Sequence, residues 1–284
     1  MKKGFFIQAN KKQILGAYLA QYAFLKTYKG ADPIPVTIML VENIPLFQEY
    51  AGTSFTRKAH TKDVRTIDLN DLQSFTLTRF LPPGLMGFEG RAVVIDPDIF
   101  TLKDIGELFT MNLSNNAIAA CTKKDAWDSS VMVLDCEKLS HWSVASWLDQ
   151  LSKGETDYDR IMTLRDEKAV LEIPRIWNNL DKLTDETMMI HTTNRITQPW
   201  KTGLPIDFAR NTMPKYLGVI PREPIHKLLG KYATTYQPHP NKKIEAFFID
   251  LVKNALRDGA ISEKIIKEEI AASHVRQDLL ALLS

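Results

Sequence analysis

Residues 4–41 leave few choices of fold. Gly4 to Ala9 (GFFIQA) is an apolar run of strand length. Asn10 and two lysines follow. Then Ile14, Leu15, Tyr18, Leu19, Tyr22 and Leu25 recur at steps of three and four, which makes one apolar helical face. Gly30 and Pro33 end that segment, and Pro35 to Val41 (PVTIMLV) reads as a second strand. Strand, helix, strand in so short a span predicts a crossover between parallel strands, hence an α/β protein built on a mostly parallel sheet.

A third strand carries the chemistry. Residues 90–100 read GRAVVIDPDIF. Arg91 to Ile95 is rich in β-branched residues and suits a strand covered on both faces. If the strand direction continues through Asp96, Pro97 and Asp98, side chains two apart share one side. Both carboxylates then face one point, and Pro97 offers no N–H to extend the ladder. Ligands of open α/β sheets bind outside the carboxyl ends of the strands. Two converging carboxylates there make a hard oxygen site suited to Mg²⁺ or Mn²⁺, especially an ion shared with a phosphate. The spacing alone is weak evidence. Asp157-Tyr158-Asp159 repeats it in a polar stretch, and Asp and Pro are also ordinary turn formers.

Further along, Leu72–Leu81 reads as a helix stopping before Pro82-Pro83, and Leu102–Phe109 as a short helix. Ala117–Cys121 and Val131–Asp135 read as strands. The second is followed by a helix carrying Trp142, Trp147, Leu148 and Leu151. Met188–His191 is a short apolar run ending on a histidine. From Pro214 the character changes: Pro214, Pro221, Pro224, Pro238 and Pro240 punctuate a linker-like stretch. Ile244, Phe247, Phe248, Leu251, Val252, Ala255 and Leu256 then form a helical stripe closed by Gly259, and Ser262 reads as the cap of a further helix. The expected division is an α/β domain over 1–213 and a linker with a C-terminal helical extension over 214–284.

The chain of 284 residues is 44% hydrophobic and 25% charged with a net charge of +2, so no nucleic-acid-binding surface is expected. Its two cysteines, Cys121 and Cys136, lack metal-ligand spacing and read as buried thiols of a reducing compartment. No stretch has the length of a signal peptide core or a membrane span, and the expected location is the cytoplasm. The apolar stripe of the C-terminal helices leaves room for a peripheral membrane or homo-oligomer contact, although such stripes more often form core.

Several segments in order resemble one family. They are the opening strand and helix, LTRFLPPG, the strand with its D-x-D, LKDIGELF, WDSSVMVLD, IPRIWNNLD and MIHTTNRITQPWKTGLP. Together, over roughly residues 4–205, they look like the retaining nucleotide-sugar glycosyltransferases of family eight, the glycogenin-like and lipopolysaccharide galactosyltransferase-like enzymes. The resemblance implies a GT-A fold, a Rossmann-like sheet flanked by helices, and a nucleotide-diphosphate sugar donor. It also implies Mn²⁺ (or Mg²⁺) held by Asp96, Asp98 and His191. It assigns Gln8, Ala9 and Asn10 to the nucleotide base and ribose, and Arg79 to the donor. Asp96 and Trp200 fall in its donor-binding motifs.

The chain also departs from the family pattern. Asp128-Ser129-Ser130 stands where the family has N-S-G, so Asp128 becomes a catalytic candidate that accepts hydrogen bonds from sugar hydroxyls, or else simply caps a turn. Gln198-Pro199-Trp200-Lys201 replaces Lys-Pro-Trp, which leaves Lys201 to supply the charge on the diphosphate. The family's D-Q pair has no clean counterpart, and Asp159 is the candidate in that interval. Two other readings stay open. A nucleotidyltransferase also uses paired aspartates and a metal, but GFFIQANKK lacks the glycines of its phosphate loop. A non-catalytic carbohydrate- or partner-binding protein on the same scaffold would tolerate the departures.

Overall fold

The computed structural model describes residues 1–283 except 60, 62, 72, 73 and 208–232, so Pro214, Pro221 and Pro224 lie outside the described residues. The chain divides into two compact units, Met1–His191 and Thr192–Ser284.

The first unit is mixed α/β. Its sheet of six strands takes the order β2-β1-β5-β8-β7-β9. The chain enters at β1 (Lys3–Ala9) and crosses over through α1 (Ile14–Thr27). It returns at β2 (Val36–Leu40), parallel to β1 as predicted. A short helix α2 (Pro45–Glu49) and a hairpin of β3 (Ser54–Thr56) and β4 (Val64–Thr66) follow. The segment read as a helix over 72–81 is a 3-10 turn over Ser74–Phe80. Pro82 and Pro83 open helix α3 (Pro82–Leu85) rather than merely end one. A proline's fixed φ and missing N–H suit a first turn. β5 (Arg91–Ile95) then lies parallel to β1 and is fully buried.

After β5 the chain makes a short strand, β6 (Ile99–Thr101). Only Gly106–Phe109 of the next predicted helix forms, as a 3-10 turn, because the Asp104 carboxylate accepts the Gly106 N–H at 2.9 Å and closes a local turn. β7 (Ile118–Lys123) and β8 (Ala126–Asp135) form a hairpin. β8 is the one strand of the central sheet that runs against the rest. Trp142 sits ahead of helix α4 (Val144–Lys153), whose cap is Ser143. Next come α5 (Tyr158–Met162), β9 (Val170–Glu172) parallel to β7, β10 (Asn179–Leu180) and β11 (Met189–His191).

Alternation along the strands splits the core. On one face Phe5 stacks on Phe24 of α1 with ring centroids 4.1 Å apart. On the other, Phe6, Ala92, Val94, Met132 and Leu134 pack with Phe47, Phe80, Trp142 and Leu148. Cys121 and Cys136 are buried, and burial pushes their thiols up to about 12 and about 11, so both stay protonated packing groups.

In the second unit, α6 (Lys242–Arg257) turns Ile244, Phe248, Leu251, Val252 and Ala255 into core, while Phe247 and Leu256 are half-buried. Ser262 caps α7 (Glu263–Ala271) as read from the sequence, accepting the Ile265 N–H at 3.3 Å. The chain ends in α8 (Leu279–Leu283). Among the described residues no helix is long and apolar enough to cross a membrane.

Candidate metal centre

Three strand ends converge on one point. Asp96 and Asp98 follow directly on β5. Because β8 is antiparallel, its beginning, not its end, lies beside them. Ile95 is paired with Val131, and the Asp96 N–H donates to the Ser130 carbonyl at 3.2 Å. The register between β7 and β8 shifts after Ala120: Ala120 faces Met132 but Cys121 faces Asp128. The residues between bulge out of the ladder, which re-aims side chains at such sites. The third contributor is β11, antiparallel to β6 with His191 opposite Ile99, which brings the imidazole beside Asp98.

One ligand atom from each of Asp96, Asp98 and His191 lies within 4.8 Å of the others. His191 Nε2 stands 3.4 Å from Asp98 Oδ1. Two carboxylates and an imidazole are a donor set that fits Mn²⁺ or Mg²⁺. The described bonds to Asp96 all land on Oδ1: Arg79 Nη2 at 2.7 Å and the Gln8 side-chain amide. Among the described residues no hydrogen bond reaches its second oxygen.

Electrostatics match the geometry. Burial raises the Asp96 carboxyl to about 6, with Asp98 and Asp128 adding to the rise and Arg79 and His191 opposing it. For His191, burial disfavours the cation. Asp98, Asp96 and Asp128 outweigh that and hold its pKa above the ordinary value. A concentration of negative charge therefore surrounds one point, as a cation site requires.

Arg79, 5% exposed, bridges Asp96 and Ser129, donating to Ser129 Oγ at 2.7 Å. Ser129 in turn donates to the Met162 carbonyl at 2.6 Å. Asp128 is held at both oxygens. Ser130 Oγ donates to Oδ1 at 2.5 Å and Arg175 Nη1 to Oδ2 at 2.8 Å. Burial opposes its ionisation, but these bonds prevail and bring its carboxyl down to about 2. Asn178 links the two halves, donating to Ser130 Oγ at 2.9 Å and meeting His191 Nδ1 at 2.9 Å through its oxygen.

Of the remaining candidates, Gln8 reaches the cluster through its bond to Asp96. Gln8, Ala9 and Asn10 are buried at the end of β1. The Asn10 amide donates to the carbonyls of Leu69 and Asp71, so it ties that loop to the sheet edge. Asp159 on α5 pairs with Arg165 at 3.4 Å, and none of the contacts found among the described residues joins it to Asp96 or Asp128. Gln198, Trp200 and Lys201 belong to the second unit. There Gln198 is buried and Trp200 packs on Phe248 with centroids 5.4 Å apart. Lys201, 1% exposed, pairs with Asp207 at 2.9 Å. A groove lined by Phe80, Trp147, Arg160, Ile161 and Glu167 includes none of the metal-cluster residues. Arg175 and Asn178 were not singled out from the sequence. Their signal was an arginine and two amides beside the apolar residues of IPRIWNN.

No family model matches the chain, and no curated protein matches it by sequence. Among solved structures it is similar to the apo form of WbbM, a bifunctional glycosyltransferase. That match has TM-score 0.49 and 13% identity over 71% of this chain and 47% of that one. It is also similar to the glycosyltransferase GlyE of Streptococcus pneumoniae TIGR4, with TM-score 0.48 and 14% identity over 70% and 57%. A third is an active-site mutant of LgtC, with TM-score 0.48 and 13% identity over 86% and 99%. The chain spans about half the length of the first two. Likeness at this level concerns the fold and carries no argument about chemistry.

Proposed function

We propose that the chain is a divalent-metal-dependent glycosyltransferase that moves a sugar from a nucleotide-diphosphate donor to an acceptor with retention of configuration. The observation that carries the reading is the convergence of Asp96, Asp98 and His191 at the carboxyl end of β5. Bound there, Mn²⁺ or Mg²⁺ would neutralise charge on the leaving nucleotide diphosphate. The protein's own groups do the rest. Arg79 presents a fixed guanidinium beside the carboxylates, suited to phosphate or sugar hydroxyls. Gln8 and Asn10, buried at the edge of the sheet, border the place for base and ribose. Asp128, held by Ser130 and Arg175, orients its neighbours rather than serving as a mobile base.

One observation favours a second reading, a non-catalytic carbohydrate-binding protein. Lys201, the candidate cation for the diphosphate, is buried against Asp207. Incubation with a panel of nucleotide sugars and Mn²⁺ decides between them. Release of nucleotide diphosphate with transfer or hydrolysis of the sugar supports the enzyme. Metal-dependent binding with no turnover of any donor supports the second reading.

A further inference from the structure

Around His191 the hydrogen bonds have a forced direction. Asp128 is ionised and can only accept, so the Ser130 hydroxyl proton points at it. Ser130 Oγ must then accept from its other neighbour, which sets the Asn178 amide with Nδ2 toward Ser130. The Asn178 oxygen is left facing His191 Nδ1 at 2.9 Å, and an amide oxygen can only accept. Nδ1 therefore carries a proton in both the neutral and the charged ring. Any proton the ring gives up leaves from Nε2, the atom that faces Asp98. Arg175 closes the far end by clamping the second oxygen of Asp128.

We propose that Asp128, Ser130 and Asn178 are positioning residues that hold the Nδ1 proton of His191 and so present the Nε2 lone pair to the cation. The proposal rests on the metal reading above and adds residues that touch no ion. It also gives a role to the carboxylate where the resembled family has an amide: an obligate acceptor makes the chain one-directional. A partner on the far nitrogen of a ligating histidine raises ligand basicity and fixes the ring, and its loss typically lowers metal affinity about 10–100-fold.

Two readouts on the full chain test this. The first is ring ¹⁵N NMR of metal-free protein at high pH, with His191 assigned by its loss in His191→Gln. Wild type is expected to show Nδ1 protonated and Nε2 bare, and Ser130→Ala to show a mixture of tautomers. The second is Mn²⁺ affinity by titration calorimetry. Ser130→Ala and Asn178→Leu are expected to weaken binding about 10–100-fold. Ser130→Thr, which keeps the hydroxyl, should stay near wild type. An Nε2–H tautomer in wild type, or Ser130→Ala binding Mn²⁺ as well as wild type, overturns the proposal. If wild type binds no Mn²⁺, the metal reading fails, and the NMR still reports on the hydrogen-bond chain.

Discussion

At the scale of the residue, the carboxylates differ in charge state, and that difference makes predictions. On the proposed reading Asp98→Ala removes a metal ligand that is not core. It is expected to abolish metal-dependent transfer while leaving the far-UV circular dichroism unchanged. Ligands must be deprotonated to bind metal. Because burial raises Asp96 to about 6 and its carboxylate neighbours raise His191, Mn²⁺ affinity is expected to fall as pH drops through about 6. Calorimetric titrations between pH 5 and about pH 8 measure this. Asp128 has the opposite sign. Its folded-state pKa is depressed from 3.8 to about 2, so its contribution to stability is present above pH 4 and is lost as pH falls through about 2. The shift is worth about 2 kcal/mol. Urea denaturation should therefore show Asp128→Asn destabilised at pH 5, with the gap from wild type shrinking toward pH 2.5. A gap independent of pH would mean that packing, not charge, holds Asp128.

At the scale of the element, helix α1 packs directly against the turn after β5. A Cβ placed on Gly16 would come within 2.6 Å of the Pro97 carbonyl oxygen, between Asp96 and Asp98. Gly→Ala inside a helix normally stabilises by about 0.5–1 kcal/mol. Here the methyl must displace backbone, so Gly16→Ala is expected to destabilise by about 1–3 kcal/mol and to weaken Mn²⁺ binding. Denaturant melts and a metal titration of the same variant check both. The bulge in β8 is the second such device, since it lets consecutive Asp128, Ser129 and Ser130 serve three different partners.

At the scale of the molecule, the strand-end carboxylates repel a nucleotide diphosphate unless a cation lies between them. Metal and nucleotide should therefore bind cooperatively, each tightening the other by the same factor, with a coupling of about 1–3 kcal/mol. Nucleotide diphosphate titrations with and without Mn²⁺ measure it, and Asp96→Asn/Asp98→Asn should largely remove it. Equal affinity in the two titrations would reduce Asp96-Pro97-Asp98 to a turn.

The opening β-α-β unit was legible because its signals are local: apolar period, strand length and punctuation by Gly and Pro. The D-x-D and its place at a strand end were legible for the same reason. The single reversed strand was not, because an apolar run such as VMVLD reads the same in either direction and only its partner sets its sense. That reversal brings Asp128 and Ser130, rather than Asp135, to the carboxyl end of β5. Asn178 and Arg175 were hidden likewise, since a side chain's partner far along the chain leaves no local period. The sequence by itself determined the opening β-α-β unit, strand β5 and the pair of carboxylates that follows it. Only the tertiary structure decided which of them meet, because strand sense and register are settled by the packing of the whole sheet.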